Sequence, residues 1–225
     1  MFELTDLWKA TYPDASAGVL IMRQADNPVR HAVLEGRKAD LEKRLRLKYA
    51  GQDRNVIKSL PVMQAYDTYY RRFKKTYHVL LQLESIVFKD RSIPNGAALV
   101  EAMFMAEIKN MLLTAGHDLE AVDLPIQLDV STGSERYTLL RGDEQTVKAG
   151  DMMMVDRIGV ISSILYGPDQ RTQIRNDTRN VIYTVYAPAG VEEDKVLQHL
   201  QDIQETIRLF APHAKTEMLQ VFNGQ

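Results

Sequence analysis

The sequence predicts an α+β domain: mixed sheet layers flanked by helices, with an N-terminal helical layer. Three observations lead there. Apolar stripes at helical spacing dominate the first part of the chain, and short apolar runs separated by turn signals dominate the second. The charge changes sign near the same place: residues 1–91 hold 17 Lys+Arg against 11 Asp+Glu, a net of +6, and residues 92–225 carry a net of −8. The chain is 45% hydrophobic and 26% charged over 225 residues, a globular composition long enough to bury a real core.

The first element is a β-run, Gly18 to Met22. Asn27-Pro28 then reads as a helix start, with Asn27 as N-cap and Pro28 in the first helical position. That helix runs towards Tyr49 with acid-first pairs Asp40/Arg44 and Glu42/Arg46, and its thin apolar content places it on the surface. A helix from Pro61 to Phe73 follows, its stripe Val62, Tyr66, Tyr69, Tyr70 and Phe73 spaced 4, 3, 1 and 3. A further helix is expected over Val79–Lys89. Ala97 to Thr114 reads as a central, buried helix, apolar all round and stopped by Gly116.

Strands are expected at Ile126–Val130, Arg136–Leu140, Met152–Asp156, Val160–Leu165 and Val181–Tyr186, separated by Gly- and Asp-containing turns. An amphipathic helix over Glu192–Phe210 and a strand over Glu217–Phe222 complete the chain. With no long linker or internal repeat, the reading is one domain over 1–225, with 1–58 as an N-terminal strand-and-helix extension and 59–225 as the core module.

Several function classes fall away. With no cysteine, there is no disulfide framework, thiolate metal site or cysteine nucleophile. The five histidines lack metal-site spacing, and no phosphate-binding glycine loop or nucleophile elbow occurs. The expectation is therefore no metal and no cofactor. The net charge of −2 argues against a strongly basic nucleic-acid wrapper. The N-terminus lacks a leader pattern, and Glu101, Glu107 and Lys109 interrupt the most apolar stretch, so a soluble, cytoplasmic protein with no membrane partner is expected.

Three local features carry two readings each. The stretch Tyr166 to Asn180 is either a polar loop with an Asx turn or a binding loop in which Arg171, Arg175 and Arg179 meet a phosphate or carboxylate. Arg71, Arg72, Lys74 and Lys75 either complement a helix C-terminus or form an RNA-contacting patch. The interleaved aromatic rings keep core spacing and read as structural. His117 is either a cap at a helix end or a group in a polar cleft with Asp118, Glu120 and Asp123, titrating near neutrality.

Four segments together resemble the B-three/B-four domain, the tRNA-editing module of the phenylalanyl-tRNA synthetase beta subunit. They are YRRFKKTYHVLLQLESIVFKDRSIPNG (70–96), LLTAGHDLEAVDL (112–124), TLLRGDEQTVKAGDMMMVD (138–156) and RTQIRNDTRNVIYTVYAP (171–188). The last is similar to the family's "Thr-x-x-Thr-x-Asp-Thr-Lys-Asn" loop and strand. The likeness spans about Ser59 to Pro188 and implies sheet layers of the synthetase editing-domain type. The pattern departs in places. Glu120 stands where the synthetase corner has a histidine, Ser162-Ser163 replaces a Gly-Gly run, and its acidic recognition residue corresponds to Asp169 or Gln170. Tyrosine specificity is therefore not implied.

The resemblance implies a freestanding editing-type protein, not an aminoacylating ligase. The expected activity is hydrolysis in trans of the ester of a mischarged aminoacyl-tRNA, by a held water and oxyanion donors. A non-catalytic tRNA or aminoacyl-group binder and a small amino-acid-like ligand binder are the alternatives. The expected partner is tRNA or aminoacyl-tRNA, not DNA; the oligomeric state stays open. The implied catalytic set is Asn95, Ser162, Ser163, Asp169 and Thr172. The substrate-binding set is His117, Glu120, Arg171, Asp177 and Thr178, and the RNA-binding set is Arg71, Arg72, Lys74 and Lys75.

Overall fold

The structure, a computed structural model, describes residues 1–224. It is an α+β fold in three layers: a bundle of helices, a four-stranded sheet, and a five-stranded sheet. The chain runs β1 (Phe2–Leu4), α1 (Asp6–Thr11), β2 (Ser16–Arg23), α2 (Ala32–Lys48), α3 (Arg54–Lys58), α4 (Pro61–Arg72), α5 (His78–Phe88) and α6 (Ala98–Asn110). It continues through β3 (Thr114–Asp118), β4 (Ile126–Val130), β5 (Arg136–Thr138), β6 (Glu144–Thr146), β7 (Met152–Val155), β8 (Val160–Ser163), β9 (Gly167–Pro168), β10 (Val181–Ala187), α7 (Glu193–Phe210) and β11 (Lys215–Asn223).

The four-stranded sheet has the order β11-β2-β10-β3 and is antiparallel throughout. The five-stranded sheet has the order β1-β4-β7-β8-β9, with β1 and β4 its one parallel pair. Strands from the first 58 residues thus sit in both large sheets. Strand alternation sorts side chains between the layers. On β10, Tyr183 and Val185 face the helices, and the Tyr183 hydroxyl donates to the Leu99 carbonyl of α6 at 2.8 Å. Thr184 and Tyr186 face the other sheet: the Thr184 hydroxyl meets Met154 Sδ at 3.3 Å, and the Tyr186 hydroxyl bonds Ser162 Oγ.

Helix α7 lies on the outer face of β2 because that strand presents Gly18 there. A Cβ at Gly18 would come within 2.5 Å of Val196 Cγ1 and 3.1 Å of Leu200 Cδ1. Helix α4 ties the layers together with three buried tyrosines. Tyr66 donates to the Tyr186 carbonyl (2.5 Å), Tyr70 to the Ile164 carbonyl (2.5 Å) and Tyr69 to Asp151 Oδ1 (2.6 Å). Their predicted stripe is therefore core, as the spacing indicated, and the polar tips satisfy backbone groups deep inside.

Several boundaries differ from the sequence reading. The apolar helix ends at Asn110, and Met111 takes a left-handed conformation (φ 60°) that redirects the chain into β3. Gly116 does not stop a helix. It lies mid-strand on β3, where a Cβ would meet Ile174 Cδ1 at 2.9 Å and Met103 Sδ at 3.2 Å. A run of buried apolar residues suits a core strand as well as a core helix, and here it is split between the two. Asn27 does not cap α2, which begins at Ala32 after His31. Its Oδ1 instead accepts the Leu99 N–H in the first turn of α6 (2.9 Å), and its Nδ2 donates to the Arg175 carbonyl (2.7 Å). It caps a helix distant in sequence, which local spacing does not reveal. The Glu42–Arg46 pair forms at 3.4 Å. Strand β1, the short helices α1 and α3 and strand β6 were not foreseen, each being only 3–6 residues long.

Among the described residues, no helix is long and apolar enough to cross a membrane. The charges that broke the apolar run on α6 are housed individually. Glu101 is paired with Lys38 at 3.0 Å, Lys109 with Asp202 at 2.7 Å, and Glu107 faces a cavity.

Candidate functional site

The segment from Ile164 to Asn180 links β8 to β10 and crosses from one sheet to the other. It is pinned at several points. Gly167 and Pro168 pair with Ser163 and Ser162, Asp169 forms a bridge to Leu139, and the Thr172 carbonyl accepts the Asp118 N–H of β3 at 2.8 Å. Further on, Thr178 Oγ1 donates to Asp118 Oδ2 (2.7 Å) and accepts the Arg175 N–H (2.9 Å). The polar residues of this loop therefore fasten it to the edge of the four-stranded sheet.

At its centre lies a buried relay. Thr172 Oγ1 donates to Asp169 Oδ1, whose same oxygen accepts the Thr172 N–H at 3.1 Å. With its hydrogen committed there, Thr172 Oγ1 accepts from His117 Nδ1 at 2.7 Å. That assigns the proton of the ring to Nδ1 and leaves Nε2 a buried acceptor without a partner. His117 points into the space between the sheets, not into a polar cleft at a helix end. Burial, with the Arg171 charge nearby, pushes its pKa down to about 3. The expectation of titration near neutrality is overturned: the ring is neutral at physiological pH.

Arg171 closes the relay on its outer side. Its guanidinium donates to Asp156 Oδ2 (2.8 Å) and to the Ala121 carbonyl (2.9 Å), and lies 3.7 Å from Asp169 Oδ2. Burial alone would raise the Asp156 carboxyl. Hydrogen bonds from the Asp123 N–H, Arg171 and the Gly159 and Ile158 N–H groups outweigh it and hold the pKa below the ordinary value. Asp169 goes the other way, raised by burial.

Two cavities border the loop. The polar one, about 480 Å³, is lined by Arg136, Tyr137, Thr138, Asp169, Arg171 and Arg175 among others. Arg171 is compensated by its two aspartates. Arg136 and Arg175 are exposed and form no ion pair among the described residues, so the cavity carries uncompensated positive charge. The second cavity, about 440 Å³, has mainly apolar walls, including Met103, Phe104, Leu113, Leu165 and Ile174. The polar residues of its lining are His78, Gln82, Glu107, Thr114 and Gln173. Gln173 borders both spaces.

The expected site residues distribute unevenly. Asp169, Arg171, Thr172 and His117 come together in the relay. Ser162 and Ser163 are buried beside it on β8. Ser162 faces Tyr186, and Ser163 Oγ accepts the Tyr166 N–H at 3.2 Å. Thr178 fastens the loop, Asp177 is exposed, and Glu120 accepts from Asn180 Nδ2 at 2.6 Å at the surface. Asn95 stands apart in the helical layer, where its Oδ1 accepts from Lys38 Nζ at 2.7 Å. It lines neither cavity. Sequence reasoning passed over Asp156, Arg136, Gln173 and Glu107. The first closed a strand segment quoted for the resemblance, and Glu107 was visible as an acid inside an apolar run.

The basic run is largely spoken for. Arg71 pairs with Asp67 at 2.8 Å, and Arg72 lies 5.4–5.8 Å from the ring centres of Tyr12, Tyr69 and Phe73. Lys75 sits 5.0 Å over the ring of Tyr166, which lines the apolar cavity. Lys74 is exposed with positive φ of 57°. Of the four, Lys75 is the one set against a residue of the candidate site. Among the described residues, no group of three His, Asp or Glu is placed to hold a metal ion.

The buried titratable groups give a pH prediction. Burial holds His78, His117 and His199 down at about 4, 3 and 3, so the unfolded chain binds more protons below the ordinary 6.5, and stability is lost as pH falls through these values. Burial holds Glu107 and Asp151 up at about 8 and 7, so the folded chain binds more protons above their ordinary values, and stability is lost as pH rises through these values. Three histidines outweigh two carboxyls below 6.5, and the carboxyls act alone above it. Urea midpoints should therefore peak near about pH 6.5 and fall on both sides. A midpoint that keeps rising to about pH 8 would contradict this.

An α+β fold of two stacked sheets with a helical layer, and paired cavities beside a pinned loop, is thus what the chain presents. The chain matches no protein-family model and no curated protein. Among solved structures it is similar to an N-terminal fragment of the phenylalanyl-tRNA synthetase beta subunit from Pyrococcus horikoshii. That likeness has a TM-score of 0.50 and 13% identity, and covers 96% of this chain. The chain spans about half of the fragment's length, 49%. At this identity the match speaks to fold alone.

Proposed function

We propose that this chain is an editing-type domain that hydrolyses the ester of a mischarged aminoacyl-tRNA in trans. One observation carries the reading: a cationic cavity and an apolar cavity lie against the same loop, 167–175, and share Gln173. An aminoacyl ester at a tRNA terminus has the matching chemistry, an anionic ribose-phosphate end and an amino-acid side chain joined at one carbonyl. Arg136 and Arg175 supply charge for the phosphate, and the apolar walls read the side chain. Gln173, between the two, is placed to meet the carbonyl region. The fold likeness to a synthetase beta-subunit fragment supports the same reading, as does Lys75 beside Tyr166, which sets the basic run next to the apolar cavity.

In this reading Asp169, Thr172 and His117 are positioning residues. They hold Arg171 and the loop backbone so that the two cavities keep their spacing, and a buried neutral imidazole fixes that arrangement over a wide pH range. Water is the attacking group.

A second reading, a tRNA or aminoacyl-group binder without turnover, has its own observation. The one histidine in the relay is fully buried, and the aspartates beside it are committed to Thr172 and Arg171. Among the described residues, no free general base lies in the part of the loop that lines the cavities, 167–175; Asp177 is exposed beyond it. Incubation with a panel of mischarged tRNAs tests both. Deacylation of at least one member above the buffer rate is expected. Salt-dependent binding with no deacylation would favour the second reading instead.

A further inference from the structure

We infer that the apolar cavity takes a primary ammonium group on an apolar body, the amino end of an aminoacyl ester or amide, with Glu107 as its counter-ion. The inference deepens the proposed function and rests on it for the biological source of the ligand.

The cavity is unusual in what its polar groups offer. Glu107 is 2% exposed and comes from α6 between apolar walls. One of its oxygens accepts the Thr114 N–H at 2.7 Å, and its carboxyl has no cationic partner among the described residues. Gln82 Oε1, also at the cavity, is buried and accepts no hydrogen bond. Unpartnered buried acceptors are rare, because desolvation without a donor is costly. One such acceptor, Gln82 Oε1, beside a buried carboxyl that has no cationic partner among the described residues calls for a ligand with several N–H donors. His78 is the one basic side chain at the wall, and burial keeps it neutral, down at about 4. The remaining titratable neighbours, Tyr66, Tyr70, Tyr77 and Tyr166, all have raised pKa values and stay neutral too. Nothing built into the cavity competes for Glu107.

The same chemistry discriminates ester from product. A free amino acid brings a second carboxylate among walls that hold Glu107 and, among the described residues, no Lys or Arg side chain of their own. An ester or amide does not. The cavity therefore favours the joined form, and hydrolysis turns a good ligand into a poor one.

Burial holds the empty site's Glu107 up at about 8, so near pH 6.5 it carries a proton. An ammonium beside it favours the carboxylate, and the displaced proton goes to the buffer. Binding of a cationic amide should release about one proton, and binding of its neutral twin none.

The test is titration calorimetry of the whole chain near pH about 6.5, in two buffers of different ionisation enthalpy, with L-leucinamide and 4-methylpentanamide, which differ by the ammonium alone. Leucinamide should bind at least about tenfold more tightly and release about one proton. Glu107→Gln keeps an oxygen for the Thr114 N–H. It should shrink the preference to about twofold or less and abolish proton release. Equal binding of the two amides by the native protein, or binding of neither up to about 20 mM, overturns the inference. The comparison of two ligands on the native protein holds even if the variant folds poorly. Failure here is separable from failure of the deacylase reading. Deacylation unchanged in Glu107→Gln, with no amine preference, would remove this inference alone. Leucinamide binding without deacylation of any tRNA would remove the other.

Discussion

Lys38→Met is expected to cost about 3–5 kcal/mol of stability, among the largest single-site losses in this chain. Lys38 and Glu101 are both nearly buried, with side chains 9% and 7% exposed, and face each other at 3.0 Å. Lys38 also holds Asn95 Oδ1, and Glu101 accepts the Gly96 N–H at 2.9 Å. Methionine has the length but no charge, so Glu101 would be left as an unpaired anion between α2 and α6. Most of the expected cost is that stranded charge, not the lost attraction. The double variant Lys38→Met/Glu101→Gln should therefore recover more than half of the loss, since a neutral amide still accepts the Gly96 N–H. Urea unfolding measures both. A double variant as unstable as the single one would show that packing, not charge, dominates.

Asp169→Asn is expected to lower deacylation about 100-fold while leaving the fold in place. Its Oδ1 accepts both Thr172 bonds, and an asparagine oxygen can take over that role. The other oxygen faces Arg171 at 3.7 Å, and there the variant presents an amide donor to a guanidinium donor. Arg171 must turn away, which moves the wall shared by the loop and the polar cavity. The loss should appear in kcat more than in KM if Asp169 positions the loop rather than contacting the substrate. An unfolding midpoint near that of the native chain, with unchanged deacylation, would return the relay to a purely structural role.

Much of the fold was legible because periodicity reports burial directly. The stripe on α4, the long amphipathic α7 and the strands β4, β7 and β10 all stand where their patterns put them. The pattern failed where two elements share one unbroken apolar run. Residues 97–118 hold a helix and a core strand joined at Met111, and no Gly or Pro marks the joint. It failed again where a side chain serves a distant partner. Asn27-Pro28 looks like a local cap, yet Asn27 caps α6, 71 residues further on at Ala98.

The site was legible in its loop and opaque in its depth. Tyr166 to Asn180 stood out by composition, and its arginines and threonines do organise the space between the sheets. The same composition does not say which polar side chains are buried. Thr172 and Thr178 turn inward while Asp177 faces solvent, a choice made by the pairing with β3. Glu107 carried the opposite lesson. An acid inside an apolar helix was read only as a break in hydropathy, whereas in the fold Glu107 is 2% exposed and borders the apolar cavity. The buried histidine fits neither reading made from its neighbours, because Gly116-His117 belongs to a strand.

Turnover of a mischarged aminoacyl-tRNA is read from a deacylation time course. The native chain and Asp169→Asn would be run side by side on the same panel of mischarged tRNAs, with buffer alone as the baseline. At least one aminoacyl-tRNA should be hydrolysed well above the baseline by the native chain, and about 100-fold more slowly by the variant. Decay of every member at the buffer rate with the native chain would contradict the deacylase reading.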